Sequence, residues 1–220
     1  MAKLQQSERA EIAIPFEGFE LDGELVIPQD AWGVVLFAHG SGSTRHSPRN
    51  QFVAQTLQRH HIGTLLFDLL TEKEEAEEQY TRHLRFDIGL LARRLLGATR
   101  WFHRQQPESL IGYFGSSTGG GAALVADAES EIPIQAIVSR GGRPDLAGTA
   151  LPLVKAATLL IVGAADTAVV EMNRTALKQM TCPKELRLVP RATHLFEEPG
   201  ALEKVAEMAA EWFELNFKGT

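Results

Sequence analysis

The sequence predicts an α/β fold: a mostly parallel eight-stranded sheet with helices on both faces and no large cap domain. Three observations predict it. Short apolar runs such as Val34–Ala38 and residues 159–162 suit strands buried on both faces. Helical segments stand between these runs, and that alternation implies right-handed crossovers and a parallel sheet. Only a short stretch separates the strand ending at Val138 from the one beginning near Ala157, which leaves no room for an inserted cap.

The elements follow in order. The first 30 residues read as antiparallel: residues 11–16 form a short strand, and 19–27 carry a turn at Leu21-Asp22-Gly23-Glu24, where Asp-Gly favours positive φ. After the strand at 34–38, residues 48–60 read as helix, with Phe52, Val53, Thr56 and Leu57 on one side. A buried strand at 64–67 precedes the acidic run 72–78, which reads as a solvated loop or helix start, or as a flap near a pocket. One long helix is expected over 82–104, with Leu84, Ile88, Leu91, Leu95 and Phe102 on its apolar side. A strand at 110–114 leads into a small-residue helix over 119–128. Strands at 134–138, 159–162 and 186–189 follow, with helices at 169–179 and 202–217. No internal repeat or low-complexity linker divides the chain, so residues 1–220 read as one domain.

Composition narrows the function classes. The 220 residues carry 22 Lys+Arg against 28 Asp+Glu, a net charge of −6, which argues against nucleic acid as the default partner. Cys182, the single cysteine, can form no internal disulfide and cannot alone make a cysteine-based zinc site. The first residues, Met1-Ala2-Lys3-Leu4-Gln5-Gln6, lack the apolar core of a secretory signal. The apolar runs fall short of the roughly 20 residues of a membrane span. A cytoplasmic protein, monomer or homodimer, with no membrane partner and no cofactor is the expectation.

In parallel sheets the chemistry gathers at the carboxyl ends of the strands. After the strand at 110–114 comes Gly115-Ser116-Ser117-Thr118-Gly119, a G-x-S-x-G pattern between a strand and a helix. That context makes a nucleophile elbow of Ser117. The competing reading is a glycine-rich turn that binds phosphate at a helix N-terminus, although the lysine of a P-loop is missing. A serine needs a base, and the elbow's usual chain order is serine, acid, histidine. Asp166 follows the strand at 159–162, and His194 follows the one at 186–189. Asp166 could instead cap the next helix, leaving Glu171 or Asp145 as the acid, and His194 could be a surface histidine. An oxyanion hole requires two donors. Candidates are the Thr118 N–H and the Ser41 N–H of the His39-Gly40-Ser41-Gly42 loop. Gly40 shapes that turn, and His39 reads as a loop-fixing residue. His60 and His61 read as surface, and no metal site is expected.

These motifs resemble the α/β-hydrolase superfamily, and within it the dienelactone hydrolase-like group, over roughly residues 30–217. The signature is the combination of the 39–42 loop, the Ser117 elbow, Gly163-Ala164-Ala165-Asp166 and Ala192-Thr193-His194-Leu195-Phe196. The resemblance implies ester hydrolysis through an acyl-enzyme on a small-molecule ester, with thioesterase, lactonase or dienelactone-type chemistry, or a non-catalytic binding module, as alternatives. It also implies that related domains occur joined to phosphoribosyltransferase domains, for which these 220 residues are expected to have no room. Dienelactone hydrolases proper carry a cysteine nucleophile, where this elbow carries Ser117. Arg140, after the strand at 134–138, could bind a substrate carboxylate or make an ion pair with Asp68 or Asp145. Arg45 and Arg49 pose the same question, and the absence of a cap favours short acyl chains.

Overall fold

A computed structural model describes residues 9–81 and 83–219. Residues 1–8, on which the secretory-signal reading falls, and Arg82, the expected start of the long helix, lie outside the described residues. The sheet has eight strands in the order β1-β2-β4-β3-β5-β6-β7-β8. These are β1 (Ala10–Phe16), β2 (Phe19–Val26), β3 (Val34–Ala38), β4 (Gly63–Phe67), β5 (Ile111–Ser116), β6 (Ala136–Arg140), β7 (Ala157–Gly163) and β8 (Lys184–Val189). The β1–β2 and β2–β4 pairs are antiparallel, and every pair from β4 to β8 is parallel. β3 to β7 are buried at every position, as their unbroken apolar runs require.

Two cores flank the sheet. Helices α1 (Pro48–Arg59) and α6 (Ala201–Lys218) cover one face, with Val53, Leu57, Val205 and Phe213 against Val35, Phe37, Phe114 and Val138. Helices α3 (Ile88–Gln105) and α4 (Thr118–Glu129) cover the other, with Leu91, Leu95, Phe102 and Leu124 against Leu36, Leu65 and Ile137. Helix α5 (Thr167–Gln179) completes the set after β7. The β6–β7 connection is a short 3₁₀ segment, Pro144–Leu153, with no cap domain. Among the described residues no helix is long and apolar enough to cross a membrane.

Two expectations need correction. The turn expected at Asp22-Gly23 is strand: β2 runs unbroken from Phe19 to Val26, with Asp22 opposite Ala13 and Gly23 opposite Ile12, and the chain turns instead at Glu17-Gly18, both at positive φ. The long helix over 82–104 is broken: a 3₁₀ turn, Leu84–Phe86, precedes α3. Asp87 starts α3 by accepting the Leu90 N–H at 2.9 Å, a side-chain cap that outweighs the apolar periodicity upstream. The acidic run begins helix α2 (Glu72–Thr81), as the helix-start reading expected, and Glu72, Lys73 and Glu77 are exposed, but two of its acids are drawn into ion pairs. Glu74 and Glu78, one turn apart, bind Arg94 and Arg85, and the Glu78 side chain is 0% exposed. Counting acidic residues could not show that two of them have arginine partners on α3 and its preceding turn.

Candidate active site

The elbow is built where β5 runs into α4. Ser117 has φ 51° and ψ −120°, a conformation that costs a non-glycine residue roughly 1–3 kcal/mol. Its backbone is held on both sides: Ser117 N–H donates to Arg140 O at 3.2 Å, and Ser117 O accepts from Gly120 N–H and Arg143 N–H, each at 3.0 Å. α4 starts so close under β3 that a Cβ on Gly119 would drive into Ala38 O. The second glycine of the motif is thus a packing requirement.

His194 and Asp166 meet above the carboxyl ends of β7 and β8. His194 Nδ1 lies 2.8 Å from Asp166 Oδ2. Asp166 stands at the N-cap position of α5 but makes no side-chain cap, so its carboxylate goes to the histidine. The His194 side chain is 40% exposed and that of Asp166 18%, an arrangement of wet imidazole over a sheltered acid. The loop is anchored beyond His194: Phe196 is buried, and Glu198 accepts from Thr193 N–H and Oγ1–H at 3.0 and 2.6 Å. Those Thr193 bonds hold the Glu198 carboxyl below its usual range. Gly141, with φ 51°, lies against the ring, and His194 Cε1 is 3.5 Å from where its Cβ would stand. Because Gly141 directly follows the β6 residue that binds Ser117 N–H, the elbow and the histidine loop both meet the end of β6.

The 39–42 loop closes over the serine. Ser117 Cβ lies 3.0 Å from where a Cβ on Gly40 would be, and Ser41 Oγ is 3.3 Å from Thr118 Oγ1. Thr118 is the first residue of α4, so its N–H is among those a helix leaves unpaired. His39 fixes this loop, as its position suggested. Its Nε2 accepts from Leu69 N–H at 2.9 Å, and its Nδ1 lies 3.1 Å from Gly40 O. Burial lowers its pKa and keeps the ring neutral, as an acceptor Nε2 demands. Leu69 O in turn accepts from Arg94 Nη1 at 2.5 Å, and Arg94 pairs with Glu74. A chain of bonds therefore runs from α2 through α3 to the loop. Glu75 and Arg85 join His39, Ser41, Leu91 and Thr118 around a small cleft beside the elbow. The sequence carried no signal for Arg85, whose partner Glu78 sits inside the acidic run.

The other candidates divide. Arg45 is held away by Asp68, through its backbone N–H at 2.6 Å and its guanidinium, with Asp22 3.8 Å from Nη1. Arg143, not Arg140, takes Asp145 at 2.7 Å. Both ion-pair partners considered for Arg140 are thus occupied by other arginines. Glu171 pairs with Arg174. Cys182 is buried beside Thr158 at the amino end of β7, at the opposite edge from Ser117, and burial raises its thiol pKa. His60 lies within 3.3 Å of Glu207 and Glu214 on α6. Among the described residues no group of three or more His, Cys, Asp or Glu side chains is placed to hold a metal ion.

Comparison with known proteins places this architecture. No family model matches the chain. A crystal structure of dienelactone hydrolase from Anabaena variabilis is 56% identical, with a TM-score of 0.93, over 96% of this chain and 99% of that one. Est1E from Butyrivibrio proteoclasticus (19% identity, TM-score 0.77, 96% of this chain and 99% of that one) shares the fold. So does an esterase of Pyrococcus furiosus (19%, TM-score 0.72, 94% and 93%). Two curated Mycobacterium tuberculosis proteins named "Putative phosphoribosyl transferase" are 52% identical over 194 residues. Those residues are 87% of this chain but only 43% of each relative, so the chain spans less than half their length. Its likeness to the Anabaena protein over nearly the whole of both chains settles the kinship: this chain belongs to the dienelactone hydrolase-like family of the α/β hydrolases.

Proposed function

We propose that the protein is a serine esterase that cleaves carboxylic esters through an acyl-enzyme. The observation that carries this reading is the 2.8 Å bond between His194 Nδ1 and Asp166 Oδ2, at the same edge of the sheet as a serine held at φ 51°. Ser117 Oγ attacks the ester carbonyl while His194 Nε2 takes its proton. Asp166 fixes the imidazole tautomer and stabilises the imidazolium. The Thr118 and Ser41 N–H groups receive the developing oxyanion, each worth about 10²–10³ in kcat by analogy with other oxyanion donors. His194 then protonates the leaving alcohol and activates the water that releases the acid. The short β6–β7 connection favours small acyl groups. Lactone hydrolysis is the second reading, supported by the name of the 56% identical relative and mechanistically the same attack on a cyclic ester.

Hydrolysis of 4-nitrophenyl esters from acetate to decanoate by the wild type and Ser117→Ala tests the proposal. Turnover that falls at least about 10³-fold in the variant is expected. Equal activity in Ser117→Ala would remove Ser117 as the nucleophile.

A further inference from the structure

Helix α5 carries a buried amide that no sequence motif marks. Asn173 is 0% exposed. It follows Asp166 by two helical turns, so the two residues stand on one side of α5. Its Nδ2 donates to Val169 O, one turn back in the same helix, at 2.8 Å, and to Gly142 O, outside the helix, at 3.0 Å. These two acceptors fix which end of the amide is the nitrogen, because the flipped amide would set oxygen against oxygen. Asn173 Oδ1 is buried with no partner among the described residues.

Gly142 is the middle residue of a short bridge between the elbow and the histidine loop. Before it, Gly141 donates its N–H to Ile161 O on β7 at 2.7 Å. A Cβ on Gly141 would stand 3.3 Å from His194 O and 3.5 Å from His194 Cε1. After it, Arg143 donates its N–H to Ser117 O at 3.0 Å, and Arg143 O lies 2.8 Å from where a Cβ on Gly121 of α4 would be. Gly142 itself has no room for a side chain, because a Cβ would run into Ser139 Oγ. One face of the bridge thus meets the serine, the other meets the histidine, and Asn173 holds the carbonyl between them.

An asparagine is a costly way to fill this position. A leucine has a similar size, favours helix more and would bury no polar atom, whereas Asn173 leaves an oxygen unpaired in the core. What the amide supplies and a leucine lacks is a donor for Gly142 O. Helix α5 therefore holds two parts of the site in one frame: the acid at its start, through Asp166, and the bridge two turns on, through Asn173.

We propose that Asn173 is a positioning residue for the hydrolysis: it fixes the 141–143 bridge and, through it, the approach of Ser117 to His194. The proposal rests on the esterase reading for the step that it serves. Asn173 acts through Gly142 and not on the substrate. A proton passes from Ser117 Oγ to His194 Nε2 only within hydrogen-bond reach, so a bridge released from α5 slows the chemical step and leaves substrate affinity in place.

The test separates positioning from stability. Asn173→Leu and Asn173→Ala remove the donor, whereas Ala176→Gly, one turn further along α5, loosens the same helix and keeps the bond. The kcat and KM for 4-nitrophenyl acetate are measured per folded molecule, with the folded fraction taken from urea denaturation, alongside Ser117→Ala. In Asn173→Leu, kcat should fall at least about fivefold while KM stays within about threefold. Ala176→Gly should show no such fall. Asn173→Ala carries the same expectation and decides the matter if Asn173→Leu does not fold. A smaller fall in kcat, a loss carried by KM, or as large a fall in Ala176→Gly overturns the role and leaves Asn173 a structural residue only. The two proposals fail separately. Turnover lost in Ser117→Ala but kept in Asn173→Leu leaves the esterase and removes the positioning role. If the wild type hydrolyses no ester, the rate at which a fluorophosphonate labels Ser117 reads the same geometry. Labelling at least about fivefold slower in Asn173→Leu then upholds the positioning role without the esterase, and equal or absent labelling overturns it.

Discussion

Asp166→Asn is the sharpest probe of the proposed triad. The substitution keeps the side-chain shape and removes one charge from a contact of 2.8 Å. A carboxylate and an imidazolium with charge centres about 4 Å apart attract by about 1 kcal/mol in water and about 4 kcal/mol at an effective dielectric of 20. The Asp166 side chain is 18% exposed and His194 40%, so a value between these limits applies, about 3 kcal/mol. At about 1.4 kcal/mol per factor of ten, charge alone accounts for roughly 10² in rate. The asparagine amide can also donate to Nδ1 and so hold the imidazole in the tautomer that cannot accept the serine proton. Together these give an expected loss of about 10³–10⁴ in kcat. Because Asp166 makes no side-chain cap on α5, stability should change by less than about 1 kcal/mol. The assay is kcat and KM for 4-nitrophenyl acetate between pH 5 and 9, alongside urea denaturation. A variant that keeps kcat within threefold of the wild type, or loses activity only in proportion to unfolded protein, would refute the reasoning.

Other expected outcomes concern the frame around the serine. Gly119→Ala should displace the elbow, because its Cβ meets Ala38 O; activity falls with a loss of at least about 2 kcal/mol in urea denaturation, and wild-type stability would contradict the close crossing. Glu74 is held at about 2, well below its usual value of 4.5, by Arg94 and Thr71 against the opposing effect of burial. Its stabilisation is therefore full above pH 4.5 and is lost as pH falls towards 2. Glu74→Gln leaves Arg94, 3% exposed, without its counter-charge and should cost about 3–5 kcal/mol, flattening the acid limb of a stability–pH curve. His39 is lowered from 6.5 by burial, so the unfolded chain takes up its proton first. The His39 contribution is complete above pH 6.5 and declines as pH falls through the folded value. His39→Gln, measured by thermal melts from pH 5 to 8, should lose that dependence, and an unchanged slope would refute it.

The chain itself determined much of this molecule. Unbroken apolar runs separated by helical segments specify a parallel sheet, because only a strand covered on both faces is apolar at every position. The placement of Ser117, Asp166 and His194 was legible because the crossover rule puts the residues after β5, β7 and β8 on one edge of the sheet. What tertiary structure decided are the pairings of charge, which depend on side chains far apart in sequence and carry no local pattern. The acidic run looks solvated until Arg94 and Arg85 turn out to meet Glu74 and Glu78. Arg45 and Arg140 look equivalent as residues after strands. Only the fold gives Asp68 to the first and leaves the second buried without an acid, because strand alternation sends Arg140 to the face where Ala136 and Val138 pack in the α1–α6 core.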